Sequence, residues 1–237
     1  AHQWWAHTLS AKPVAGGSLF IEGFAKYTEA VVMEKIYGKR AVYALSENAR
    51  SRYFSGRSHT DKLEPPVYKV FGQGYISYGK ALTVMLALRD LIGEDGVNRV
   101  LKSLTDKYRN SAKLEVNSLE FLEEVYKLTP KKYHRLVDDW LKKVITYDLS
   151  IEQASFKELP DGRYEVTASI IAKRFETSGT GEIHQISVNE PIKIGVLSTH
   201  PSILEDDNSL LHFESYQLSD EITEIKFIVN EKPKYVS

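Results

Sequence analysis

The chain has 237 residues, 42% of them hydrophobic and 27% charged, a globular composition whose length favours two domains of about 150 residues or fewer. Its 31 basic and 32 acidic side chains leave a formal net charge of −1, which excludes the strong positive field of a nucleic-acid-binding protein. The absence of cysteine excludes disulfides and thiolate zinc sites, and it is compatible with an oxidising or a reducing compartment. A membrane helix needs about 20 apolar residues, and no apolar run approaches that length, so we expect a soluble chain.

Residues 1 to about 144 carry apolar side chains at helical spacing. The first clear helix ends at Gly38 and has one apolar face, formed by Phe20, Phe24, Tyr27 and Val31. Asn117 is the predicted N-cap of a later helix, with Glu120 at the position that completes a capping box. Two prolines predict a loop over residues 55–67. Further helices are predicted over residues 39–53, 75–91, 95–108, 118–128 and about 136–144.

After Tyr147 the apolar period changes from 3.6 residues to 2, which indicates strands. The turn sequence Pro160-Asp161-Gly162 predicts a hairpin between strands over residues 151–159 and 164–172. Further strands are predicted over residues 183–188, 192–197, 210–216 and 222–229. We therefore predict an α + β multidomain protein, with a helical domain over residues 1–147 and an all-β sandwich over residues 148–237.

Three segments carry the residues of a candidate catalytic site: AHQWW at residues 1–5, EGFAKYTE at residues 22–29 and YGKAL at residues 78–82. In this order they resemble the aminopeptidase N family of zinc metallopeptidases, the gluzincins, in which an H-E-x-x-H motif is followed by a glutamate on a second helix. The resemblance implies that His2 and Glu22 are zinc ligands. It implies that the Tyr78 hydroxyl donates to the oxyanion that forms when water attacks the peptide carbonyl.

The same resemblance implies a fold and a reaction. The fold is the α-helical C-terminal part of a thermolysin-like catalytic domain, followed by an immunoglobulin- or fibronectin-like β-sandwich. The reaction is zinc-dependent hydrolysis of the N-terminal peptide bond of a peptide substrate.

The segment around Trp5-Ala6-His7 is most similar to a bacterial branch of the family, in which the peptidase domain is joined to transporter-type membrane segments. Three departures from the usual pattern are present. Nineteen residues separate His2 from Glu22 instead of eighteen, and Ile21 and Ala81 replace an asparagine and a glycine. The replacements at Ile21 and Ala81 keep a second hypothesis open: a non-catalytic peptidase-like domain that acts as a binding or regulatory part of a membrane transporter.

The family's first zinc histidine and its general-base glutamate would lie three and two residues before Ala1. We therefore expect the sequence to be a truncated piece that begins inside the motif. By itself it is expected to be inactive, with zinc absent or weakly bound, because two ligands make a weak site. Truncation would also expose apolar surface, which favours self-association.

Each candidate residue has a plainer interpretation. A lone histidine near a chain terminus, such as His2, is usually a surface residue. Tyr78 could simply pack in the helical domain with its hydroxyl bonded to the backbone. His7 lies about 140° around an ideal helix from His2, so we expect it not to bind the same metal. The residues alone leave these alternatives open.

Overall fold

A computed structural model describes residues 1–9, 14–109, 116–188, 190–200, 209–219 and 222–237 of the chain. The chain forms two compact units. The first comprises Ala1–Tyr37, Ala41–Val144 and Thr177–Glu182, and the second comprises Gly38–Arg40, Ile145–Glu176 and Ile183–Ser237. Helices dominate the first unit and antiparallel strands the second, so the predicted α + β class is confirmed.

Helices account for most of the first unit. In chain order they are α1 (Phe24–Tyr37), α2 (Lys39–Ser58), α3 (Ala81–Ile92), α4 (Glu94–Tyr108), α5 (Ser118–Leu128) and α6 (His134–Leu141). Two π-helical segments lead directly into α1 and α3: Leu19–Gly23 and Ile76–Lys80. Short 3₁₀ turns cover Val67–Lys69 and Lys131–Tyr133. None of the helices in the described ranges is long and apolar enough to cross a membrane.

Aromatic packing fixes the first residues of the chain against α1. The Trp5 ring meets Phe24 edge to face at a centroid distance of 5.4 Å, and Trp5 Nε1 donates to Thr28 Oγ1 at 2.7 Å. Phe24 in turn contacts Phe20 and Phe121, each at 5.2 Å between ring centroids. Such aromatic pairs contribute about 0.5–1.5 kcal/mol each beyond their burial. The cluster therefore anchors the segment that carries His2.

The helical pattern predicted most helices within a few residues, with two corrections. The helix predicted over residues 39–53 continues to Ser58, into the predicted loop. The last turn of α2 persists because Arg57 pairs with Glu64 at 2.6 Å, a tertiary contact that outweighs the local preference for a turn. The helix predicted over about 136–144 ends at Leu141, and Val144 begins a strand instead.

The predicted capping of α5 is confirmed. The side chain of Asn117 accepts hydrogen bonds from the backbone N–H groups of Leu119 and Glu120. Its Nδ2 also donates to Glu120 Oε1 at 3.0 Å. The two bonds to Asn117 satisfy backbone donors that the first helical turn leaves without partners, and the contact with Glu120 holds the Asn117 side chain in place.

The second unit contains two antiparallel sheets. One consists of β1 (Val144–Glu158), β2 (Tyr164–Thr177), β3 (Ile183–Ile186) and β6 (Thr223–Val229), and the other of β4 (Glu190–Leu197), β5 (Leu210–Leu218) and β7 (Tyr235–Val236). Strand β2 pairs with β6 from Tyr164 opposite Val229 to Ile170 opposite Thr223. Buried side chains of both sheets share one apolar cluster, which includes Ile170 and Ile194.

The hairpin predicted at Pro160-Asp161-Gly162 is confirmed between β1 and β2. Gly162 has φ +82°, and the N–H of Leu159 donates to the carbonyl of Arg163 at 2.8 Å. Along β2, Val166, Ala168 and Ile170 are buried while the residues between them are partly exposed, as the period of two predicts.

Helix α2 approaches the segment before the second π-helical segment very closely at Gly56. A Cβ on Gly56 would lie 2.2 Å from Tyr75 Cβ. We expect Gly56→Ala to lower the free energy of unfolding by about 1–3 kcal/mol through overpacking, measured by chemical denaturation. Gly179→Ala is the control, because nothing lies within 4 Å of the added Cβ. Equal losses in the two variants would contradict this close packing.

Candidate metal centre

The structure brings together the three predicted site residues, which lie far apart in the sequence. His2 Nε2 is 3.4 Å from Glu22 Oε2. The Tyr78 hydroxyl interacts with the Glu22 carboxylate through a hydrogen bond and through its charge. Glu22 is therefore the central residue of the group, with an imidazole and a phenol as its neighbours.

Helical turns position His2 opposite Glu22. The N–H of Trp5 donates to the carbonyl of Ala1 at 3.2 Å, and the N–H of Thr8 donates to that of Trp4 at 3.1 Å, both with the i to i+4 spacing of an α-helix. His7, five residues beyond His2, is exposed.

Glu22 and Tyr78 both lie in π-helical segments, one at the start of α1 and one at the start of α3. Such segments are rare and occur frequently at functional sites. The two segments pack closely at Gly23, where a Cβ would lie 3.2 Å from Ala81 Cβ and 3.7 Å from the carbonyl oxygen of Ser77. The apolar pattern gave no sign of either segment, because it continues through both at ordinary helical spacing.

The Glu22 carboxylate has one oxygen available to a ligand. Glu22 Oε2 is buried and has no hydrogen-bond partner among the described residues, an arrangement that costs free energy. The side chains of His2 and Glu22 are 54% and 25% exposed, so the pair can be reached. An imidazole nitrogen and a carboxylate oxygen are both zinc donors, and the pair fits two of the three ligands of a catalytic site with two histidines and one glutamate.

A complete metal site is not present within the described ranges, where no three His, Cys, Asp or Glu side chains come together. A cavity of about 360 Å³ opens beside His2 and follows α1 past Lys26, Glu29 and Met33. Lys26 Nζ donates to Glu29 Oε2 at 2.6 Å, so these two charges neutralise one another along the cavity wall.

The Tyr78 hydroxyl is held in its protonated form. Burial raises the pKa of Tyr78 to about 12, the hydrogen bond and the charge of Glu22 raise it as well, and the charge of Arg52 opposes them. The Arg52 guanidinium lies over the Tyr78 ring, with Cζ 4.5 Å from the ring centroid. A phenol with this pKa remains a hydrogen-bond donor at neutral pH.

A buried ionic cluster holds the second π-helical segment from the α2 side. Lys80, two residues after Tyr78, donates to Glu64 Oε1 at 3.0 Å, and Glu64 also accepts from Tyr53 Oη at 2.9 Å and from Arg57 Nη1 at 2.6 Å. The side chains of Glu64 and Lys80 are 4% and 10% exposed. Burial lowers the pKa of Lys80, an effect that Glu64 opposes.

Close backbone contact supplements this cluster. A Cβ on Gly79 would lie 2.8 Å from the carbonyl oxygen of Ala49 and 3.0 Å from Tyr53 Cβ. The rings of Tyr53 and Tyr75 also stack, with centroids 6.1 Å apart. No local motif in the sequence marks Arg52, Arg57 or Glu64, so these residues were not predicted.

No protein-family model matches this sequence, and no curated protein matches it significantly.

We expect Glu22→Gln to lower the pKa of Tyr78 from about 12 toward the ordinary value of 10.0, because the negative charge beside the phenol is removed. The folded pKa lies above the unfolded one. The contribution of Tyr78 to stability is therefore fully present below pH 10 and is lost as the pH rises from 10 to about 12. NMR titration of ¹³Cζ-tyrosine measures the shift, with Tyr78→Phe to assign the signal. An unchanged Tyr78 titration in Glu22→Gln would contradict the contact.

Proposed function

We propose that the chain is part of a zinc-dependent aminopeptidase of the aminopeptidase N type, with His2 and Glu22 as metal ligands and Tyr78 as the oxyanion donor. The observation that carries the proposal is the meeting of these three side chains at the Glu22 carboxylate, whose Oε2 is buried, lies 3.4 Å from His2 Nε2 and has no hydrogen-bond partner in the described residues. The location of Glu22 and Tyr78 in two π-helical segments that contact each other supports it.

Bound zinc would supply a Lewis acid and an activated water. The residues of this chain would hold the metal and the substrate carbonyl in place. His2 and Glu22 would present one nitrogen and one oxygen donor, and the Tyr78 hydroxyl would donate a hydrogen bond to the negative oxygen that develops on the peptide carbonyl. Because its pKa is about 12, Tyr78 would keep its proton throughout.

The proposal needs a further histidine ligand and a general base. The resemblance assigns both to positions just before Ala1, and the described residues offer no third ligand beside the pair. We therefore propose that the 237-residue chain binds zinc weakly and does not hydrolyse peptides by itself.

We infer that the helical unit corresponds to the C-terminal part of a thermolysin-like catalytic domain and that the two sheets form an immunoglobulin- or fibronectin-like sandwich. The apolar cluster shared by residues of both sheets supports the sandwich, since facing sheets bury their inner side chains together.

A second candidate is a non-catalytic, peptidase-like binding domain of a membrane transporter. Two features support it: Ile21 and Ala81 replace the usual family residues, and Glu22 already interacts with Tyr78 within the chain. In that case the group around Glu22 would be a structural polar contact.

Hydrolysis of alanine p-nitroanilide distinguishes the two candidates. The protein tested is one that includes the residues before Ala1, loaded with zinc. The peptidase proposal predicts activity that a chelator abolishes and that His2→Ala and Glu22→Gln remove, whereas the exposed His7→Ala retains it. Inactivity of the folded, zinc-loaded protein would support the binding role and contradict the peptidase.

A further inference from the structure

Arg52 extends from α2 over the ring of Tyr78 in the proposed site. Its guanidinium Cζ lies 4.5 Å from the centroid of the Tyr78 ring. Two other arginines of the helix are ion-paired: Arg50 with Glu47 at 2.7 Å and Arg57 with Glu64 at 2.6 Å. Arg52 is exposed, and no ion pair with a described carboxylate accompanies its contact with Tyr78. Arg52 is therefore a permanently charged side chain that contacts an aromatic ring, and its charge can still attract an anionic ligand.

The contact with Tyr78 leaves the hydrogen-bond donors of Arg52 accessible, because the side chain is exposed. A cation–π contact uses the positive charge of the guanidinium and does not consume its five N–H donors. That planar fork matches the two oxygens of a carboxylate, and the ring reduces the side-chain entropy that binding would cost. Glu22 meets the Tyr78 hydroxyl and Arg52 meets the ring face, so the two opposite charges act on different parts of one side chain.

We propose that Arg52 binds the C-terminal carboxylate of a short peptide whose scissile carbonyl lies at the Tyr78 hydroxyl, an inference that rests on the proposed function. Each residue spans at most about 3.3–3.6 Å, so a carboxylate one or two residues beyond that carbonyl lies about 4–7 Å from it. The guanidinium Cζ lies 4.5 Å from the centroid of the ring that carries this hydroxyl, which is within this reach. The substrate class is therefore dipeptides and tripeptides with a free carboxylate.

Binding of alanyl-alanine and of alanyl-alaninamide to the zinc-free, 237-residue chain tests the inference. The readout is the NMR shift of the arginine Nε–Hε groups. We expect the acid to bind at least about fivefold more tightly than the amide, because a charge-assisted, bidentate contact is lost in the amide. Arg52→Gln should remove this difference, Arg52→Lys should reduce it, and the ion-paired Arg50→Gln on the same helix should preserve it.

Equal binding of acid and amide, or an undiminished preference in Arg52→Gln, would overturn the inference. Acetate that binds as tightly as alanyl-alanine would also overturn it, because the site would then be a general anion site. The readout needs neither zinc nor turnover, so its failure is distinct from failure of the metal ligands. If the protein that includes the residues before Ala1 bound no zinc while the preference for alanyl-alanine over its amide persisted, the proposed function would be overturned. Arg52 would then still be a carboxylate-binding residue.

Discussion

Replacing Tyr78 by phenylalanine is expected to lower kcat for peptide hydrolysis by about 10²–10³-fold in the zinc-loaded protein that includes the residues before Ala1. The hydroxyl is the only group removed, and it is the donor that the proposal places at the developing oxyanion. Its interaction strengthens as charge develops, so KM should change little. Steady-state kinetics measure both parameters, and zinc content and thermal unfolding verify that the variant is intact.

Tyr75→Phe is the matched control for this prediction. Tyr75 lies three residues earlier, and its ring stacks on Tyr53 instead of facing Glu22. Its hydroxyl has no proposed role in the reaction, so kcat should stay within about twofold of the parent value. Equal kcat values for Tyr78→Phe and the parent protein would remove Tyr78 from the mechanism.

Replacing Glu64 by glutamine is expected to cost about 3–5 kcal/mol of unfolding free energy. Glu64 is the acceptor for Lys80, Arg57 and the Tyr53 hydroxyl, and its side chain is 4% exposed. The substitution keeps the shape but leaves two cations without their counter-charge in a buried place. Chemical denaturation at neutral pH measures the loss.

Two further variants sharpen this prediction. Glu47→Gln removes a carboxylate from an exposed ion pair with Arg50 on α2, and should cost at most about 1 kcal/mol. Adding Lys80→Met to Glu64→Gln should restore part of the stability, because it removes one uncompensated charge. If Glu64→Gln lowered the free energy of unfolding as little as Glu47→Gln does, the proposed contribution of the buried cluster to stability would be contradicted.

The sequence predicted elements whose cause is local. The apolar period of the helices, the N-cap of α5 by Asn117 and the hairpin at Gly162 all depend on residues within a few positions of one another. The predicted end of α2 was wrong because the last turn of the helix depends on the pairing of Arg57 with Glu64. Glu64 lies seven residues later, in a proline-rich loop.

The candidate site was predictable to a smaller extent. His2, Glu22 and Tyr78 were named because three segments follow a known order, and the structure places them together. The π-helical geometry and the role of Arg52 were not predictable, because they arise from packing between segments that are distant in the sequence. Nothing in the local pattern separates Arg52 from an ordinary exposed arginine.

Zinc titration of the protein that includes the residues before Ala1 tests the central claim most directly. Isothermal calorimetry should give one zinc per chain for the parent and for His7→Ala, and an affinity at least about 100-fold weaker for His2→Ala and Glu22→Gln. If neither His2→Ala nor Glu22→Gln weakened the zinc affinity, or if the folded parent bound no zinc, the assignment of these residues as metal ligands would be contradicted.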